Sequence, residues 1–489
     1  MLVTVTFLDG QFGFLTEAPR ACVSIGIANA GPTNVLNPIT DKQSLTDTYV
    51  GGPLVEADGF QLANGTGTGY ALRMASTGAG STGTVTPTLK PGSAGALSIS
   101  GTPNDSYRLI IVEITAAGLV AGPTTPSARI SWDGGANFDP EFSIPIGGVY
   151  TPTTQPSGLT FNFTNGAGGF KTGDLFTFSA TGPTWNSTSL VNALEALRQD
   201  EAADWEFFHV IGPASSAIFA VVLSELNLMR QDGRFAWALL EARDANTGET
   251  ELQWMTAIKA DFSASVAPQG QIVVQAGYGY LTSAISGRSY WRSLATTVAA
   301  RVTNSADYAE HLGEIAKGPL PGIVKGPDGI SIYHDERKKP GLAQARFLTS
   351  ASVIGQKGYF IGDPATYSPA TFAQPTSDYK KTHFMRPAIR TANLCMVIGS
   401  AILGQKIEVN RNGTINSRFA SEKEQLFSKQ LSTYLVPADL ISVEVQIDRN
   451  VNIKTTGKVP VKVIMNSYAY AEKVDFTIAF LNPNLVTVV

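Results

Sequence analysis

The densest group of chemically capable side chains in this 489-residue sequence is His334-Asp335-Glu336-Arg337. An imidazole beside two carboxylates could pass a proton or ligate a metal ion. Consecutive residues of an extended segment point to opposite faces, and Arg337-Lys338-Lys339 would repel a cation, so the run predicts an exposed polar loop. The other histidines offer less. His209 lies inside the apolar run Phe207 to Ile211 and reads as a satisfied core histidine, while His311 and His383 have no visible ligand partners. Gly277-Tyr278-Gly279 follows a strand-like run but lacks the third glycine of a dinucleotide fingerprint, and no Walker loop, nucleophile elbow or His-Glu-x-x-His pair occurs. With only Cys22 and Cys395, a disulfide framework is also excluded. The sequence therefore predicts no catalytic residue, no metal site and no cofactor.

Composition points the same way. A net charge of -4 with 16% charged residues gives no bulk attraction to polyanions, so no nucleic-acid partner is expected. The longest apolar run, Ala392 to Gly404, is too short to cross a bilayer and no leader-like segment opens the chain, so no membrane insertion is expected. A second chemical possibility is sugar binding through Trp132, Phe138, Tyr150 and Trp185, which would act as aromatic platforms on an adhesin-like surface.

The elements that would position these residues fall into blocks. Val23 to Ile27 reads as a buried strand, and Thr40 to Leu45 as a helix start. From Asn64 to Pro183 the composition turns to glycine, threonine, serine and proline, and the runs Tyr107–Thr115, Ala128–Trp132, Leu159–Thr164 and Leu175–Ala180 predict a β-sandwich-like insertion, with Asp133-Gly134-Gly135 as a turn. Helix and strand patterns then alternate: helix from Ser187 to Gln199, strand from Phe207 to Ile211 ending at Gly212-Pro213, helix from Ala214 to Arg230, strand from Phe235 to Glu241, helix from Glu249 to Lys259, strand from Ile272 to Ala276. This succession predicts a largely parallel sheet. Ser293 to Val302, Arg390 to Gly404 and Ser417 to Tyr434 follow as helices, the last with Glu422, Lys423, Glu424 and Lys429 on its exposed side.

The clearest pattern closes the chain. Ile441, Val443, Val445 and Ile447 alternate with polar residues, as do Val459, Val461, Val463 and Met465, then Val474, Phe476, Ile478 and Phe480. An apolar tail with Leu485, Val486 and Val488 follows without a local partner, and Leu2, Val3, Val5 and Phe7 form a similar stretch at the other end. Unpaired apolar strands invite another chain, so these two stretches are expected to be inter-subunit strand arms. The fold class is thus α/β and α+β multidomain, with mixed sheets: an arm over 1–20, a core from 21–62 and 186–370, the all-β insertion over 64–183, an α+β unit over 371–472 and an arm over 473–489.

The order of several stretches resembles the contractile tail sheath proteins of bacteriophages. The resemblance runs through Ser293-Leu294-Ala295 to Val302, Tyr333-His334-Asp335-Glu336-Arg337 to Phe347, Arg386-Pro387-Ala388-Ile389-Arg390, Asn412-Gly413-Thr414-Ile415 with the helix after it, and the terminal strands. It covers 1–62 and 186–489, leaving the insertion as a variable part. It implies a non-enzymatic, self-assembling subunit with a sheath-type core. Copies would stack as rings around a tail tube protein, bounded by baseplate and tail terminator proteins. Arms would be donated to neighbouring copies, the insertion would face outward, and the Ser417 to Tyr434 helix would face the tube. The location implied is the virion tail, after assembly in the host bacterial cytoplasm.

Overall fold

The structure, a computed structural model, describes residues 21–65, 69–153, 155, 157–200, 202–362, 370–400 and 403–471. β1 (Cys22–Gly26) is buried along its whole length, as its apolar character requires. β2 (Leu36–Ile39) leads to α1 (Lys42–Tyr49), opened by Asp41, whose carboxylate accepts the Ser44 backbone N–H at 2.8 Å. α2 (Pro53–Asn64) and β3 (Gly69–Arg73) follow. The sequence pattern does not announce α2: burial of Leu54, Val55, Ala57, Asp58, Phe60 and Gln61 erases the one-sided period. Its proline sits at the start of the helix, where no N–H is missed.

Between Ser81 and Thr181 every regular element is a strand: β4 (Ser81–Thr82), β5 (Thr86–Thr88), β6 (Gly95–Gly101), β7 (Tyr107–Ala116), β8 (Ser127–Ser131), β9 (Phe142–Ser143), β10 (Val149–Tyr150), β11 (Leu159–Asn165) and β12 (Leu175–Thr181). One sheet runs β4-β12-β7-β8-β9 with β5 beside β12, the other β10-β11-β6. Ile110, Val112, Ile130, Trp132, Phe161 and Phe176 pack together between them. After β8 the chain turns at Gly134 and Gly135, both at positive φ, and Asp133 fixes the loop by accepting from Ser131 Oγ, Asn137 N and Asn137 Nδ2, each at 2.8 Å.

The body alternates as the sequence predicts: α3 (Ser187–Gln199), β13 (Phe207–Ala214), α4 (Ser216–Gln231), β14 (Trp237–Ala242), α5 (Glu251–Asp261), β15 (Ile272–Gln275). Asn186, Ser215 and the Thr250/Gln253 capping box open the three helices. The sheet order is β15-β14-β13-β1-β3-β2, parallel except for β2 against β3. Alternate residues of the central strands face different layers. Phe208, Val210, Ala238 and Leu240 pack under α3, α4 and α5, whereas Phe207, Trp237, Leu239 and Val273 pack against the other side. β13 does not stop at Gly212-Pro213; it passes them through an irregular register and ends at Ala214.

β16 (Tyr278–Thr282) and β17 (Ser289–Ser293) form an antiparallel hairpin, followed by α6 (Ala295–Thr303), the small pair β18 (Ser350–Ser352) and β19 (Tyr359–Ile361), and α7 (Thr382–Ser400). α7 starts at Thr382 and not at Arg390, because Pro387 sits inside the helix without ending it. Its first half packs on the body through Met385, and its second half packs on the last unit through Leu394 and Ile398. That unit comprises α8 (Ser417–Leu435), β20 (Ser442–Ile447), α9 (Ile453–Thr456) and β21 (Val461–Asn466). The third closing strand, the apolar tail and the arm at Leu2 to Phe7 lie outside the described residues.

Candidate functional site

The expected exposed loop at His334 is buried instead. His334, Asp335 and Glu336 are 1%, 7% and 1% exposed. His334 Nδ1 faces Glu251 Oε1 at 2.9 Å and Nε2 faces Glu336 Oε2 at 2.8 Å. Alternation explains the error: neighbours diverge, but His334 and Glu336 stand two apart and share a side. The second oxygen of Glu336 accepts the N–H groups of Gly341, Leu342 and Ala343 at 2.6, 3.1 and 3.1 Å. Burial pushes the Glu336 carboxyl up, but His334 and these N–H groups outweigh it and hold it below the usual range. Asp335 is held down in the same sense by Ser352, whose Oγ donates at 2.7 Å. The two glutamates lie on opposite edges of one ring, so they cannot converge on an ion. Among the described residues no group of three or more His, Cys, Asp or Glu side chains could hold a metal. This cluster ties the 334–343 loop to α5.

His209 is fully buried on β13, with Nε2 at 2.9 Å from Glu241 Oε1, while Nδ1 has no partner among the described residues. Glu241 spends its other oxygen on the Gly212 N–H at 3.0 Å, which steadies the irregular end of β13.

The four aromatic residues proposed as a sugar platform do not share a surface. Trp132 is core, 1% exposed, with its indole N–H donated to Asp139 at 2.7 Å. Tyr150 stacks on Phe142 at 3.6 Å, Phe138 lies under the Arg129 guanidinium, and Trp185 donates to Ile211 O at 2.9 Å against the body. Arg292 pairs with Asp105 at 2.6 Å and Arg288 with Asp139, which fastens the all-β segment to the β16–β17 hairpin.

The arrangement that answers the sequence's strongest pattern is in the last unit. β20 and β21 pair antiparallel from Ser442↔Asn466 to Ile447↔Val461. Val443, Val445 and Ile447 turn inward, while Ser442, Glu444 and Gln446 are exposed. The Asp448 N–H reaches Pro460 O at 3.1 Å, which sets the phase of the ladder: even-numbered residues of both strands bond across the pair. The odd-numbered N–H groups of β20 point to α8, where Ser428 Oγ accepts from Val445 at 3.1 Å and Glu424 Oε1 accepts from Ile447 at 2.8 Å. One edge is therefore covered by a helix. By the same phase Val461, Val463 and Met465 turn their N–H and C=O groups outward, and among the described residues no strand pairs with them.

This geometry corrects the reading of α8. Glu424 is not on the exposed side; it caps β20 and pairs with Arg449 at 2.7 Å. Lys423 is half-buried over the Phe419 ring. The exposed stripe comprises Arg418, Glu422, Gln425, Leu426, Lys429 and Thr433, so Glu422 and Lys429 remain on it. Three consecutive residues span about 200° of a helix and cannot share one face.

α7 joins this unit to the body through two ion pairs that the sequence reading does not single out. Arg386, fully buried, donates Nε to Glu206 Oε1 at 2.6 Å and one terminal nitrogen to Glu206 Oε2 and Ser305 Oγ, both at 3.0 Å. Trp237 Nε1 adds a bond to Glu206 at 3.0 Å. One turn on, Arg390 pairs with Asp439, whose carboxylate also caps the Tyr308 N–H at 2.7 Å. The signal available in sequence is Arg386-Pro387-Ala388-Ile389-Arg390, two cations one helical turn apart, but their partners lie far along the chain.

Comparison with known proteins adds the following. The profile of the family DUF2586, N-terminal domain, matches residues 2–365. No curated protein matches the sequence. Among solved structures, the chain is similar to a sheath tail protein from Desulfitobacterium hafniense at 12% identity, over 96% of this chain and 100% of that one, with a TM-score of 0.45. A sheath tail protein from Listeria innocua aligns at 11% identity over 94% and 98% of the two chains with a TM-score of 0.44. A chain of the anti-feeding prophage baseplate in its contracted state aligns at 12% identity over 98% and 96%, with a TM-score of 0.48.

Proposed function

We propose that this chain, which belongs to the DUF2586 family, is a structural subunit of a contractile tail sheath. The observation that carries the reading is the outer edge of β21: three outward N–H groups on an exposed strand, in a chain whose two termini read as apolar strands. An edge that wants a strand and strands that want an edge complete one another between copies. The ordered sequence resemblance to sheath proteins supports the same reading.

On this reading copies stack as rings around a tail tube, between baseplate and terminator proteins, in a virion tail assembled in the bacterial cytoplasm. Leu2, Val3, Val5 and Phe7 form one donated strand, and Val474, Phe476, Ile478 and Phe480 with Leu485, Val486 and Val488 form the other. Backbone pairing keeps subunits linked while their bodies rotate on contraction. The all-β segment is an insertion that faces outward, the exposed stripe of α8 with Glu422 and Lys429 faces the tube, and no step requires catalysis. Deleting residues 473–489 tests the reading: rings and tubes should be lost in electron micrographs, and long tubes from the truncated chain would overturn strand donation.

A further inference from the structure

Beyond β21 two tyrosines fasten the chain. Tyr468 donates its hydroxyl to Pro437 O in the last unit, and Tyr470 donates to Ala309 O in the body. The segment therefore straddles the joint that α7 spans. The Tyr470 ring lies 4.6 Å from the ring of His383 on α7 and 5.3 Å from that of His311 in the loop after α6, and the two imidazoles are 4.6 Å apart. Both are buried, at 1% and 9% exposure. Neither nitrogen of His383 has a hydrogen-bond partner among the described residues.

The charges around this cluster do not favour a proton on it. Lys381, just before α7, repels a cation on either ring, and each imidazolium would repel the other. The carboxylates of the neighbouring elements act on the Tyr470 hydroxyl: Asp307 and Glu310 from the loop after α6, and Asp439 from the turn after α8. Glu310 is engaged by Lys317 and the Ala306 N–H, and Asp439 by Arg390. Tyr468 is the remaining titratable group on the segment's own side.

We propose that residues 468–471 form an acid-releasable strap, closed over the joint while His311 and His383 are neutral and lifted off the body when they take up protons. Burial, then the other ring and Lys381, lower His383 from the ordinary 6.5 to about 3, and burial and Lys381 lower His311. A histidine lowered in the closed state leaves that state intact above the ordinary value and weakens it as the pH falls below. Only the part of that lowering caused by the strap's cover is released when it lifts, so His383 reduces the closing equilibrium by at most about 30-fold at about pH 5. The inference does not depend on the sheath reading.

Chymotryptic cleavage after Tyr470 in the full-length chain, normalised at each pH to a free peptide of the same sequence, tests it, because the Tyr470 ring is held under the strap's closed contacts. The normalised rate should rise several-fold, and by at most about 30-fold, between about pH 7.5 and about pH 5. In His383→Phe most of that rise should be lost, leaving the smaller part that His311 supplies. His311→Phe, expected to blunt the rise, serves if His383→Phe does not fold. A wild-type rate that is unchanged, cleavage that rises over the whole chain, or variants that respond like the wild type would each overturn the proposal.

Discussion

Replacing Arg386 with methionine should cost the fold about 3–5 kcal/mol. The guanidinium is fully buried and supplies two hydrogen bonds to Glu206, whose carboxylate among the described residues keeps only the Trp237 indole when Arg386 is gone. An ionised carboxylate stripped of these donors in a site only 5% exposed is costly, so it must protonate or the packing must open. The double variant Arg386→Met with Glu206→Leu removes both charges and should recover most of the loss, because apolar pairs of similar volume replace buried ion pairs at little net cost. Urea denaturation followed by tryptophan fluorescence reads both. A loss below about 1 kcal/mol in the single variant would mean that the pair is solvated and that the joint is held by other contacts.

Val463→Pro should abolish assembly while leaving the subunit folded. In the β20–β21 ladder the bonding residues of β21 are even-numbered, so proline at 463 removes an outward N–H and no ladder bond, while altering a half-buried side chain that packs on the last unit's core. Proline is tolerated on an edge strand for this reason, and the lost packing should cost the subunit about 1–2 kcal/mol. A strand arriving from another copy loses that bond and meets the ring. Each joint is then weakened by about 1–3 kcal/mol, roughly fivefold to 150-fold per contact, at every subunit of the polymer. Lys462→Pro is the control with the opposite pattern, since it breaks a bond inside the hairpin and should lower subunit stability. Normal assembly by Val463→Pro would show that the β21 edge is not where copies join.

Legibility followed the range of the interaction. β13, β14 and β15 announce themselves through apolar runs, and α3 through Leu190, Leu194 and Leu197 on one face, because burial acts within a few residues; α4 begins two residues later than expected, at Ser216, since Ser215 is its cap. The β20 alternation is equally local. α2 was hidden because it is buried nearly all round, and the true start of α7 was hidden because Pro387 reads as a helix breaker. The His334 loop was misjudged since its partner Glu251 lies 83 residues away, and the Arg386–Glu206 pair spans 180 residues. No local rule pairs charges across such distances. Of the candidate interface, sequence alone supplied strands that lack partners; the register and the α8 side chains supplied the edge that is open and the edge that is closed.

Negative-stain electron microscopy of the purified full-length chain tests the central claim most directly. Stacked rings or tubes are the result predicted by strands that only other copies can complete. Isolated subunits at every concentration, with both termini intact, would contradict it.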